Sequence, residues 1–311
     1  MNTLDTSKLS KNALKRWVKE YDLPIKIFEE PYFSYLINLY DDVFQTKEKL
    51  NLLIDIISDF NNDDEYLSHN NKLTDNIIST IQKQRAYQEF ITMNMDKFKI
   101  LTNYPKNSIY KQNNIGKTFL SIDLVKANYQ SLKFIDNSLV LNSSNYDDLI
   151  SKFTDYEYIK QSKYIRQVIF GHLNPKRLQK IQRYLIEQVI LYVLSHENIL
   201  ESSIIMASND EVVFEINESL AAEFSNNFKE KINQIKHLLN IDVDIEIFTL
   251  NYLGMDCYVK EFLNKDGYQF AGVSQIYYPQ AYKKYHNLPI NDMDLTFKHE
   301  HQLVKFLNPS F

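Results

Sequence analysis

Asp123, Asp210 and Glu211 are the residues of this chain whose types and setting suit them best to chemistry. Asp123 lies near the end of the apolar run 118–124, and Asp210 and Glu211 form an acidic bend between two further apolar runs, 203–207 and 212–216. Two short apolar runs around a polar bend are a β-hairpin signature, so the bend carries its carboxylates on a hairpin tip. Carboxylates gathered at one end of a sheet repel one another unless a cation lies between them. Oxygen donors of this kind favour Mg²⁺ or Mn²⁺. Two such ions about 4 Å apart can activate a hydroxyl and stabilise a departing pyrophosphate. Nucleotidyl transfer needs little beyond that positioning and charge neutralisation.

For this chemistry the strand of Asp123 must lie beside the hairpin. After Lys117 the pattern reads as a strand (118–124), a short helix from Lys126 to Phe134, a short strand from Leu139 to Leu141 and an amphipathic helix from Tyr158 to Phe170. Pro175 then suits the opening of a helix running to about Ser195. Beyond the hairpin, Asn217 or Ser219 can cap a helix running to about Leu239. In the next stretch Val243, Ile245 and Ile247 alternate with Asp242, Asp244 and Glu246, as in a half-exposed strand. With the hairpin arms taken separately the order is β-α-β-β-α-β, the ferredoxin-like arrangement, in which the first strand can lie beside the hairpin tip.

The expected fold class is therefore α+β. A helical N-terminal region (1–110) has apolar residues near helical period over 32–60 and 73–95. A palm-like core (111–250) follows, with a helical insert at 155–196. The remainder, 251–311, is expected as a small thumb-like α/β extension, with strands at 258–262 and 268–273 and a short helix at 279–285.

Composition narrows the functional classes. The chain has 311 residues, 44% of them hydrophobic, enough for one large core or two smaller ones. Five glycines cannot build a G-x-G-x-x-G or Walker loop here, which excludes Rossmann and P-loop chemistries. The single cysteine, Cys257, excludes an intrachain disulfide and a cysteine zinc cluster, and reads as a small buried hydrophobe in a strand. The polar stretch from Met1 to Arg16 lacks the apolar core of a signal peptide, and no run is long enough to span a bilayer. A soluble, cytoplasmic protein with no membrane partner is expected.

The net charge is −5, yet seven basic and no acidic residues fall between Tyr158 and Ile186. They are Lys160, Lys163, Arg166, Lys176, Arg177, Lys180 and Arg183. A cationic surface within an acidic protein suggests a local anion site.

These motifs carry a resemblance. The stretch from Ser121 through Asp123 to Asn128 and Tyr129 resembles the first palm motif of template-dependent polymerases, a strand ending in Asp followed by a half-turn. Residues 163–171 are similar to the K-x-x-x-N-S-x-Y-G motif of family B DNA polymerases. Lys163, Phe170 and Gly171 are in register, and Gln167 stands where that family has Asn. The hairpin from Ser208 to Glu211 resembles the motif that supplies the second metal-binding acid, with Asp-Glu replacing the more usual Asp pair. The resemblance extends to reverse-transcriptase-like palms and implies Asp123, Asp210 and Glu211 as catalytic metal ligands for Mg²⁺ or Mn²⁺. It implies Lys163 and Arg166 on the triphosphate, Phe170 at the nucleotide, and Asn128 and Tyr129 beside the sugar. Lys176, Arg177, Lys180 and Arg183, with Lys283 and Lys284 in a segment loosely like the primer-binding one, are then expected to contact DNA or RNA. The helical N-terminal region would grip nucleic acid or a protein partner.

Two further readings share the topology. A non-catalytic palm remnant would bind nucleic acid or serve in assembly. A nucleotide cyclase is suggested by Asn209, Asp210 and Glu211, which resemble the hairpin of GGDEF diguanylate cyclases, although Ser208 and Asn209 replace that family's glycines.

Overall fold

Strands that bury one face alternate, and strands that bury both run apolar. Residues 243–250 follow the first rule and 118–122 approach the second. Both become central strands in the computed structural model, which describes residues 9–197 and 199–311, with Phe228 described by its backbone alone. β1 (Thr118–Leu124), β2 (Ile204–Ala207), β3 (Glu211–Ile216), β4 (Val243–Gly254), β5 (Cys257–Phe262) and β6 (Tyr268–Ala271) form one sheet in the spatial order β2-β3-β1-β4-β5-β6. Every neighbouring pair is antiparallel.

Helices occupy most of the remainder, so the fold is mixed helix and sheet. α1 (Lys11–Tyr21), α2 (Tyr32–Leu39), α3 (Asp41–Phe44), α4 (Thr46–Ser58), α5 (Asp63–Gln82) and α6 (Arg85–Thr92) precede the sheet. Between β1 and β2 lie α7 (Ala127–Ile135), α8 (Tyr146–Ser151), α9 (Glu157–Gln161), α10 (Lys163–Gly171) and α11 (Pro175–His196). α12 (Glu218–Leu239) joins β3 to β4. After β6 come α13 (Tyr278–Tyr285) and a separate hairpin of β7 (Thr296–His299) and β8 (Gln302–Lys305). Among the described residues no helix is long and apolar enough to cross a membrane.

Local chemistry sets several boundaries. Asn217 caps α12 by accepting the Leu220 N–H, and Pro175 opens α11 where its missing N–H is harmless. The single helix expected over 158–170 is two, because the Ser162 hydroxyl accepts the Ile165 N–H and starts α10 afresh. The strand expected at 139–141 is instead a 3-10 turn, Asn137–Val140, opened by the Asp136 carboxylate accepting the Ser138 N–H. β4 also runs through position 250, where the sequence reading ends the palm-like core. Its ladder with β5 continues there, with Leu250 opposite Lys260, so β5 and β6 belong to the same sheet.

The two faces of the sheet differ. Leu120, Ile122, Val212, Phe214, Ile245, Ile247 and Val259 are buried on the face that α11 and α12 cover. The same apolar core continues into the N-terminal helices through Trp17, Tyr40 and Phe90. Tyr278 and Tyr282 of α13 pack edge-on against Tyr40, at ring-centroid distances of 5.2 and 6.3 Å. On the second face, Phe119, Val213, Phe248, Leu250 and Tyr258 form a small cluster closed by Ile109 and Tyr110.

Ile109 and Tyr110 belong to a strap, residues 99–117, fastened at both ends. The buried Glu187 carboxylate of α11 accepts the N–H groups of Leu101 and Thr102, at 2.8 and 3.0 Å. The Pro105 carbonyl accepts the Ala207 N–H at the free edge of β2. At the other end Gly116, at φ 77, donates to the Leu250 carbonyl, a left-handed turn that favours glycine. Glu187→Ala is expected to destabilise the fold by about 2 kcal/mol, the scale for losing hydrogen bonds to a buried charge. Urea unfolding measures this, and amide exchange at Leu101 and Thr102 should accelerate with it.

Candidate active site

Side chains alternate along a strand, so the parity that buries Ile122 sends Ser121 and Asp123 to the second face. The register pairs Asp123 with Glu211 on β3 and with Asp244 on β4. Directly opposed residues have Cβ atoms about 5 Å apart, close enough for like charges to destabilise each other. Ser121 pairs with Glu246 in the same ladder. Asp210 joins from the hairpin bend, where its carbonyl accepts the Leu124 N–H at 2.8 Å. The structure thus brings together the three carboxylates singled out from the sequence and adds Asp244 and Glu246.

Hydrogen bonds order this cluster. The Ser121 hydroxyl, on a residue 1% exposed, donates to Glu211 Oε1 at 2.6 Å. At the tip, Ser208 Oγ donates to the Asp210 carboxylate at 3.1 Å and accepts the N–H groups of Asp210 and Glu211. The β4 acids have cations: Lys260, 7% exposed, lies 3.3 Å from Glu246, and Lys265 lies 2.9 Å from Glu246 and 3.7 Å from Asp244. Among the described residues, Asp123, Asp210 and Glu211 have no ion-pair partner.

The electrostatics follow this division. Burial, then the charges of Asp210 and Glu211, push the Asp123 carboxyl up from 3.8 to about 7. Burial works in the same direction on Glu246, but the ammonium groups of Lys260 and Lys265 outweigh it and hold that carboxyl below its ordinary value. For Lys260, burial is outweighed by Tyr110, Glu246 and Glu211, which keep the ammonium charged. One carboxyl of the cluster therefore exchanges a proton near neutral pH. Among the described residues no three His, Cys, Asp or Glu side chains are already arranged to hold a metal ion.

Other residues singled out from the sequence have diverse placements. Arg166 and Lys126 both lie against the ring of Tyr146, at 5.6 and 4.9 Å from its centroid, which brings Arg166 toward the turn that follows Asp123. Lys163 instead pairs with Asp22 at the end of α1, at 3.0 Å. Asn128 accepts the side-chain amide of Gln182 on α11. Tyr129 is buried, with its hydroxyl donating to the Ser143 carbonyl, and Phe170 is buried beside Tyr146. Both rings therefore act in packing.

The basic run divides between elements. Arg177 donates to the Met93 carbonyl, Lys176 is exposed and Lys180 is half-buried. Arg183 lines a small cavity of about 20 Å³ with Lys106, Glu187 and Ser208, next to the hairpin bend. Lys283 lies 6.0 Å from the centroid of the Tyr35 ring, and Lys284 is exposed on α13. Cys257 is buried on β5, and burial pushes its thiol up to about 12, which suits a packing role.

Asp244, Glu246, Lys260 and Ser121 are functional candidates that the sequence reading did not single out. The signal for the two acids was their alternation with Val243, Ile245 and Ile247. For Lys260 it was a lone cation directly after the apolar stretch 257–259. Comparison with protein-family models, with curated proteins and with solved structures finds no match to this chain.

Two outcomes follow from this geometry. The folded protein holds a proton on Asp123 that the unfolded chain releases near pH 4, so this group lowers stability as pH rises from about 4 through about 7. Asp123→Asn is then expected to be more stable than the wild type at pH 8, by ~2 kcal/mol after allowance for solvent at a half-buried group, and the gain should vanish near pH 4. Urea midpoints across that range test it. Lys260→Met leaves Glu246 with the partly exposed Lys265 alone and is expected to destabilise the protein by about 2 kcal/mol at pH 7, with partial recovery in Lys260→Met/Glu246→Gln.

Proposed function

We propose that this chain is a palm-type nucleotidyltransferase, using Mg²⁺ or Mn²⁺ to transfer a nucleotide from a nucleoside triphosphate to a nucleic-acid end. The observation that carries this reading is Asp123 on a central strand, flanked by Glu211 and joined by Asp210 from a hairpin bend. The strand order β2-β3-β1-β4, antiparallel throughout, supports a ferredoxin-like core for that site.

The donor set fits a hard divalent cation. Asp123, Asp210 and Glu211 offer carboxylate oxygens and have no ion-pair partner among the described residues, and burial, then the charges of Asp210 and Glu211, pushes the Asp123 carboxyl up to about 7. When bound there, the metal supplies charge neutralisation for the triphosphate and lowers the pKa of the attacking hydroxyl. The chain's own groups do the rest. Ser121 fixes the orientation of Glu211, and Ser208 fixes that of Asp210. Asp123 gives up its proton as the cluster gains positive charge. Arg166 and Lys126, held against Tyr146, are the cations we assign to the triphosphate. Nucleoside triphosphates as substrates make the cytoplasm its expected compartment.

A second reading is favoured by a different observation. Lys260 and Lys265 already neutralise the β4 acids, so the fold tolerates its acidic face through internal cations. A palm-derived subunit that binds nucleic acid without turnover would need no more.

Incorporation of labelled dNTPs and NTPs on primed, unprimed and single-stranded substrates, with Mg²⁺ or Mn²⁺, separates the two. Asp123→Ala and Asp210→Ala are each expected to lower incorporation at least ~100-fold, the scale for losing one preorganised charge-stabilising group. Either ion at pH 8 should raise the wild-type thermal midpoint and leave Asp123→Asn unmoved. Absence of incorporation and of any metal shift, with nucleic-acid binding intact, would establish the non-catalytic reading.

A further inference from the structure

We propose that the cleft between α1 and the C-terminal hairpin binds nucleoside phosphates, taken either from a free nucleotide or from a single-stranded nucleic acid. The cleft has a volume of about 700 Å³, within the range of pockets that enclose ligands of nucleotide size. Its floor is apolar, with Val18, Leu23, Ile25 and Phe28. Its rim is basic and comes from both ends of the chain: Lys15 and Lys19 on α1, Lys26 beyond it, and Lys298 on β7.

Charge pairing separates this rim from an ordinary solvated lysine face. The cleft is lined by two acids, and each is already engaged. Glu29 accepts from both Lys11 and Lys298, at 2.5 and 2.6 Å, and these bonds hold its carboxyl down at about 2. Asp22 is taken by Lys163 from outside the cleft, at 3.0 Å. Lys15, Lys19 and Lys26 therefore have no carboxylate partner among the described residues, in a chain of net charge −5. Cations on the wall of a low-dielectric concavity focus their field into it, where a phosphate gains most.

An aromatic ring selects the class of anion. Phe28 is half-buried in the floor, and Lys19 Nζ on the rim lies 4.2 Å from the centroid of Tyr164, which is outside the lining. A base can lie on such a surface while its phosphates meet the ammonium groups, the combination that single-strand binding sites use. An acidic peptide would meet the same cations but would leave the apolar floor uncovered.

This site is separate from the acidic cluster, and the inference does not depend on that cluster being catalytic. The test is fluorescence anisotropy at low salt without divalent ions, using a labelled ten-nucleotide oligothymidylate and a labelled ATP. The wild type is expected to bind one or both, and which probe binds identifies the source of the phosphates. Lys15→Glu/Lys19→Glu/Lys26→Glu should weaken binding at least 30-fold and reduce the slope of log affinity against log salt by about 2, at about 0.7 per phosphate contact. Lys15→Arg/Lys19→Arg/Lys26→Arg should retain binding, and the single Lys26→Ala, at an exposed position, should weaken it about threefold without affecting the thermal midpoint. Asp123→Asn should leave binding within twofold, so loss of turnover and loss of this site are read separately. The proposal is overturned if the wild type binds neither probe, if the triple glutamate variant binds as well as the wild type, or if polyglutamate competes as effectively as the oligonucleotide.

Discussion

The antiparallel register of β1 between β3 and β4 is the constraint on which the rest depends. It sets Asp123 beside Glu211 on one side and Asp244 on the other. Left to electrostatics, the three carboxylates would separate. They cannot, because a one-residue slip of β1 would send Leu120, Ile122 and Leu124 from the helix-covered core to the opposite face. Burial of each such side chain is worth about 1.5–3 kcal/mol, and together the three outweigh a repulsion of about a few kcal/mol among acids of which Asp123 and Glu211 are half-buried and Asp244 is exposed. Hydrophobic register therefore enforces both the burial of Asp123 and its crowding by acids, and together these push its carboxyl up to about 7.

The second face of the sheet is divided to accommodate that strain. Its apolar half, Phe119, Val213, Phe248 and Leu250, is closed by Ile109 and Tyr110 of the strap. Its acidic half, Asp123, Glu211, Asp244 and Glu246, lies toward the hairpin end of β1. Lys260 stands at the junction, its ammonium near both Glu246 and the Phe248 ring, at 3.3 and 4.6 Å. A buried lysine would normally lose its charge. Here the acids beside it keep it charged, so the lysine and the cluster stabilise each other's ionised forms.

The sheet was largely legible because period-two patterning reports which strands bury which face. The apolar arms on either side of Asp210 and Glu211, and the alternation after Asp242, both became strands where the pattern placed them. The internal breaks were less legible. Ser162 and Asp136 are polar side chains that compete for nearby N–H groups, and their competition decides between one helix and two, or between strand and 3-10 turn. Long-range partners were illegible in principle. Nothing near Lys163 in sequence announces Asp22, which lies 141 residues earlier. Likewise, Lys260 reads as one cation among many until β5 is paired with β4. A site made by strand register is half visible in a sequence: the faces are there, and the pairings are not.

Charge counting carries the site one step further. Five carboxylates, Asp123, Asp210, Glu211, Asp244 and Glu246, gather on one surface with two lysines, Lys260 and Lys265, among them. Three negative charges are left over when all five are ionised. Protonation of Asp123 reduces the excess to two, and that proton is lost as pH rises through about 7. Lys260 and Lys265 form their ion pairs with the β4 acids, whereas Asp123, Asp210 and Glu211 have no ion-pair partner among the described residues. The unpaired carboxylates leave a negative field on that side of the sheet. Burial first, and then this uncompensated charge on the side where Asp123 meets the hairpin, hold the Asp123 carboxyl up at about 7.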